Sequence, residues 1–100
     1  MESSYIISQE AIDDLGNIWI FTLNKWSAEQ ADRYHDIIIN EIEYISRNFM
    51  IGKSFEHIKR GYRASKVKSH LIFYKMNDNN IVEIIRILHQ RMDISNRLKD

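Results

Sequence analysis

Apolar side chains recur at steps of three and four from Ala11 to Phe49, and the pattern breaks only once, at Trp26-Ser27. Ala11, Ile12, Leu15, Ile18, Trp19, Thr22, Leu23 and Trp26 mark one face of a first helix. Ala31, Tyr34, Ile38, Ile42, Ile45 and Phe49 mark the buried face of a longer second one. Ser8 precedes the first helix as an N-cap, with Glu10 in its first turn. Ser27 precedes the second, with Gln30 in capping-box register. A break this short leaves two long helices no arrangement but an antiparallel hairpin. Ile37 and Ile39 widen the apolar stripe of the second helix, which therefore packs against more than one surface.

Strands flank the hairpin. Tyr5-Ile6-Ile7 is a short β-branched run, and the sequence predicts further strands over 62–67, 69–76 and 81–89. Asn77-Asp78-Asn79-Asn80 is a hairpin turn, since Asn and Asp tolerate positive φ. The last strand is apolar on both faces, as an interior strand is. Residues 50–61 read as a loop and 92–98 as a short terminal helix or tail. The predicted class is α+β, in the order β-α-α-β-β-β: a helical hairpin on a small, mostly antiparallel sheet, with residues 1–100 as one domain.

Composition narrows the chemistry. No apolar run approaches the roughly 18 residues of a membrane helix, and Met1-Glu2-Ser3-Ser4 does not resemble a secretory leader. Cysteine is absent, which removes disulfides, thiolate catalysis and Cys-ligated zinc and fits a cytoplasmic protein. The formal net charge is zero, yet residues 1–50 carry a balance of −6 and residues 51–100 one of +6. Either the C-terminal half faces something acidic, or acidic helices neutralise a basic sheet within the fold.

His35, His57, His70 and His89 show no metal-ligand spacing, and no metal or cofactor is expected. His70 and His89 fall on neighbouring predicted strands and can approach each other. Arg86 alternates in phase with Val82, Ile84 and Leu88, so it needs a partner. A carboxylate from the helices is one candidate; a basic patch of Arg63, Arg86, His89 and Arg91 facing an anionic partner is the other. Tyr62 and Tyr74 read as packing residues or as a stacking group or acid in RNA chemistry. No nucleophile–base pair, Gly-rich phosphate loop or pair of strand carboxylates stands out.

Several segments together resemble the ParE branch of the ParE/RelE toxin superfamily. They are Ala11-x-x-Asp14-Leu15-x-x-Ile18-Trp19, Trp26-Ser27-x-x-Gln30-Ala31-x-x-Tyr34, Gly61-Tyr62-Arg63, Ser69 to Tyr74, and Val82 to Asp93 ending in Arg91-Met92-Asp93. The resemblance spans about residues 5–98. It implies a bacterial cytoplasmic toxin neutralised by a ParD-like antitoxin, touching operator DNA only through that antitoxin. It further implies inhibition of DNA gyrase by stabilising the cleaved DNA complex, with Arg63, Arg86, His89, Arg91 and Met92 as target-binding residues. RelE-type relatives instead cut messenger RNA on the ribosome, and Arg63, Arg86 and His89 are the candidates for that chemistry here. The C-terminal tyrosine and extended basic run expected of that branch are missing. An inactive relative that only binds antitoxin is the third alternative. The resemblance places an antitoxin helix in a groove on the hairpin, formed by Leu15, Trp19, Tyr34, Ile37 and Ile38, where neighbouring acidic residues select a basic segment.

Overall fold

The computed structural model describes residues 5–98; the expectation for the first four residues lies outside them. The elements are β1 (Tyr5–Ile7), α1 (Gln9–Lys25), α2 (Ala28–Arg47), a 3-10 turn (Phe49–Ile51), β2 (Lys53–Ser54), β3 (Arg63–Val67), β4 (His70–Met76), β5 (Val82–His89) and α3 (Ile94–Arg97). Both serine caps form: Ser8 Oγ accepts from the Ala11 N–H at 3.0 Å, and Ser27 Oγ from the Gln30 N–H at 3.1 Å. Ser8 has a second task, donating its hydroxyl to the Ile85 carbonyl at 2.7 Å and so tying the start of α1 to β5.

The five strands lie in the order β1-β5-β4-β3-β2. All neighbours are antiparallel except β1 and β5, which run parallel from Tyr5↔Val82 to Ile7↔Ile84. β5 is thus an interior strand, as its two apolar faces require. β2 is an added strand of two residues that falls within the predicted loop. Asn77 organises the β4–β5 turn, its Oδ1 accepting from the N–H groups of Asn79 and Ile81 at 2.8 and 3.0 Å.

The sheet is covered on both sides. Against the hairpin, Ile38, Ile42 and Ile45 meet Ile72, Tyr74, Ile84 and Ile87 in the main core. On the other face Tyr62, Ala64, Phe73 and Leu88 form a second cluster with Leu98, roofed by Phe55, Ile58 and Ile94. At one end of the sheet Tyr74 donates to the Phe49 carbonyl at 2.7 Å and accepts from the Gly52 N–H at 2.9 Å. A Cβ at Gly52 would stand 2.2 Å from that hydroxyl, so only glycine fits there. Ser65 donates to Glu41 and ties β3 to α2.

Two of the sequence expectations change here. Ile38 is 0% exposed and Leu15 is 8% exposed, both inside the main core. Both hold the hairpin to the sheet; Ile38 has no exposed surface to offer a groove, whereas Leu15 also borders a shallow groove beside Trp19. The phase of Arg86 also changes. Phe73 pairs with Arg86 but Tyr74 pairs with Ile84, so Ile85 is an extra residue in β5. This bulge reverses the alternation. Val82, Ile84 and Ile87 face the helices, whereas Leu88 joins the second cluster with Phe73, the partner of Arg86. No helix among the described residues is long and apolar enough to cross a membrane.

Candidate functional site

A cleft of about 1030 Å³ opens where the hairpin turn overhangs the β3–β4 turn and the end of β5. Phe21, Thr22, Lys25 and Trp26 of the hairpin line one wall, with Tyr34 and Ile37 behind them. Lys68, Ser69, His70 and His89 line the sheet side. The hairpin break at Trp26-Ser27 sets the overhang, and the tight turn with Lys68 at φ 53° lifts the sheet rim toward it.

At the floor, the Tyr34 hydroxyl donates to the Val67 carbonyl at 3.1 Å and lies 2.8 Å from His70 Nδ1. The rings of His70 and His89, cross-strand partners, meet edge to face at 5.3 Å. His89 Nδ1 accepts from the Arg91 N–H at 3.1 Å. Burial pushes the His70 pKa below the ordinary imidazole value, and His89 nearby adds to the shift against a smaller opposing pull from Asp14. Burial also raises the phenol pKa of Tyr34. The floor therefore offers a hydrogen-bonding phenol and two imidazoles in edge-to-face contact.

Arg86 is held away from this floor. Its Nε and Nη2 donate to the two oxygens of Asp14 at 2.9 and 3.0 Å, and the Ile87 N–H donates to the same carboxylate at 2.9 Å. Glu10 adds a contact at 3.6 Å. The hydrogen bonds that Arg86 donates to Asp14 hold the guanidinium pKa up. Of the two origins open for Arg86, the helix carboxylate is the one present. Asp14 also closes the edge of β5 beyond the end of β1. Its position on the inward stripe, between Ala11 and Ile18, was the sequence signal for this role.

The predicted site residues divide. Arg63 lies at the far end of the sheet, donating to the Gly52 and Met50 carbonyls at 2.9 and 3.0 Å and standing over the Phe49 ring. It buttresses the 3-10 turn and does not meet Arg86 or His89. Arg86, His89 and Met92 line the cleft, and exposed Arg91 stands beside them. Tyr34 and Ile37 line the same cleft. Trp19 lies outside it, in a shallow groove with Ile12 and Ile20, where its indole donates to Asp32 at 2.9 Å. The sequence does not bring Phe21, Lys25, Trp26 and Lys68 together: Trp26 reads as the end of the first helix's apolar stripe, and Phe21 and Lys25 lie off that stripe. Among the described residues no cluster of three His, Cys, Asp or Glu can hold a metal ion.

The chain overlays a solved structure titled "Chromosomal ParDE TA system from P. aeruginosa" with a TM-score of 0.77, covering 88% of this chain and 96% of that one at 17% identity, a likeness of fold. The chain belongs to the family described as "ParE toxin of type II toxin-antitoxin system, parDE", which matches residues 5–94. It is 34% identical over 98 residues to Toxin ParE1 of Mycobacterium tuberculosis, covering 98% of this chain and 100% of that protein. It is 37% identical over 89 residues to Toxin ParE1 of Caulobacter vibrioides, covering 89% and 91%. The protein is thus a toxin of the ParE/RelE type, and its family pairs it with a ParD-like antitoxin.

Proposed function

We propose that this toxin inhibits DNA gyrase by stabilising the cleaved gyrase–DNA complex, and that its antitoxin neutralises it by filling the cleft beside His89 and Met92. The observation that carries the reading is the shared cleft. Tyr34 and Ile37, proposed to touch antitoxin, line the same concavity as His89 and Met92, proposed to touch the target. A segment seated there covers the target-binding surface directly. Trp19 and its groove extend the antitoxin's track along the outside of the hairpin; Asp32 there suits a basic residue.

The state of the arginines supports a binding role over strand cutting. Arg86 lines the cleft with His89 but is committed to Asp14, and Arg63 is committed to two carbonyls at the far end of the sheet. A cleavage centre needs such groups within hydrogen-bond reach of the reacting atoms. The proposed target surface is therefore His89, Arg91 and Met92.

The test is a gyrase supercoiling and cleavage assay with purified toxin. Accumulation of DNA covalently attached to gyrase is expected, with loss of the effect in Arg91→Ala/Met92→Ala and on adding antitoxin. Fully active gyrase with no trapped cleavage refutes the reading. Cleavage of ribosome-bound messenger RNA would then point to the nuclease branch.

A further inference from the structure

We propose that the cleft of the free toxin binds single-stranded nucleic acid, seating the phosphate at Lys68, His70 and His89 and stacking its base on Trp26 or Phe21. Three features converge on this ligand. The first is uncompensated positive charge. Lys68 and Arg97 line the cleft without a carboxylate partner among the described residues, and Lys25 stands 5.7 Å over the Phe21 ring. The one carboxylate in the lining, Asp14, is already occupied by Arg86 and the Ile87 N–H. A ligand entering here meets cations with no internal anion to satisfy them, and charge-assisted bonds to phosphate oxygens are strong.

The second feature is the floor. His70 and His89 sit on paired strands with their rings together, next to the ammonium-bearing turn at Lys68. An ammonium and two imidazoles within one concavity turn several N–H donors toward one position, which suits the anionic oxygens of a phosphodiester. The third is aromatic surface. Phe21 is 63% and Trp26 68% exposed, on the wall facing this floor. Exposed flat rings beside a basic groove are the platform on which unpaired bases stack. A duplex keeps its bases inside and cannot use them, so the ligand is a single strand or a frayed end. This binding is separate from gyrase inhibition: either can fail without the other.

The experiment is a fluorescence anisotropy titration of the intact toxin, without gyrase or antitoxin, against labelled pentathymidylate and pentauridylate at low salt. Saturable binding that weakens with added salt is expected. Trp26→Ala and Lys68→Ala should each weaken it about tenfold. Both side chains are exposed, so both variants should melt with the parent. Lys53→Ala, on the distant strand β2, should bind as the parent does. Tighter binding of one oligomer assigns the site to DNA or to RNA. Three results overturn the proposal: no anisotropy change at millimolar protein, equal weakening in Lys53→Ala, or binding of a glutamate-rich peptide where neither oligonucleotide binds.

Discussion

Replacing Asp14 by alanine separates an arginine that holds the fold from one that contacts a target. The Asp14 carboxylate receives three N–H donors, two from Arg86 and one from the backbone of Ile87. The Arg86 and Asp14 side chains are 15% and 12% exposed, so water replaces these bonds poorly. Removing one partner of a buried pair costs about 3–5 kcal/mol, and an unsatisfied backbone N–H about 1–3 kcal/mol more. Glu10, at 3.6 Å, remains to take part of the charge, and the site is near the surface. We therefore set the loss in Asp14→Ala at about 3 kcal/mol, which lowers the melting temperature of a chain this size by about 12–24 °C. The double variant Asp14→Ala/Arg86→Met should recover about half of that, because the uncompensated charge is gone. Thermal melts followed by circular dichroism, with urea midpoints as a check, read both numbers. A single variant melting within 2–3 °C of the parent, well under about 1 kcal/mol, would refute the assignment of Arg86 to structure.

Gly52→Ala should cost about 2–3 kcal/mol in urea titrations, as its methyl must displace the Tyr74 hydroxyl and the Ala64 carbonyl; Tyr74→Phe in the same background should restore part of the loss, and an unaltered midpoint in Gly52→Ala would contradict the close approach. His70, facing Tyr34, His89 and Asp14, has a folded pKa below its ordinary value, so the unfolded chain takes up its proton first; stability should be full above pH 6.5 and fall as pH drops through the folded pKa. His70→Gln should show a shallower slope in melts across that range, and an identical slope would mean that the shift is absent. Ile38→Ala should lose about 2–5 kcal/mol, whereas Ile37→Ala should melt with the parent and weaken antitoxin binding by calorimetry; the reverse pattern would mean that the two side chains face the other way.

Much of this fold is readable from periodicity. Both helices, their serine caps, the hairpin break and all the strands but β2 follow from steps of three and four or from short β-branched and aromatic runs. What is not readable depends on contacts distant in sequence. β2 has two residues and forms because Arg63 and Tyr74 hold the 49–52 segment against the sheet. The bulge at Ile85 has no composition signal, and a strict period of two assigned Arg86 the wrong face. Ile37 and Ile38 are equally apolar neighbours. Their places, one in the cleft and one in the core, are fixed by how α2 rotates against the sheet. The cleft gathers residues from five elements, so the sequence supplied His89 and Tyr34 as separate candidates and not as one site.

The parallel pairing of β1 with β5 also dictates an order of assembly. Ser8 and Asp14 find their partners 72 to 77 residues later in the chain. During synthesis the hairpin can form early from local contacts, but its apolar face and the edge of β1 stay open until the final strand is made. That strand must then enter between β1 and β4 in the same step that neutralises Asp14. The residues at its end, His89 to Met92, take their positions only with this closure. A nascent chain that stops before β5 therefore lacks both its interior strand and the residues proposed to touch the target.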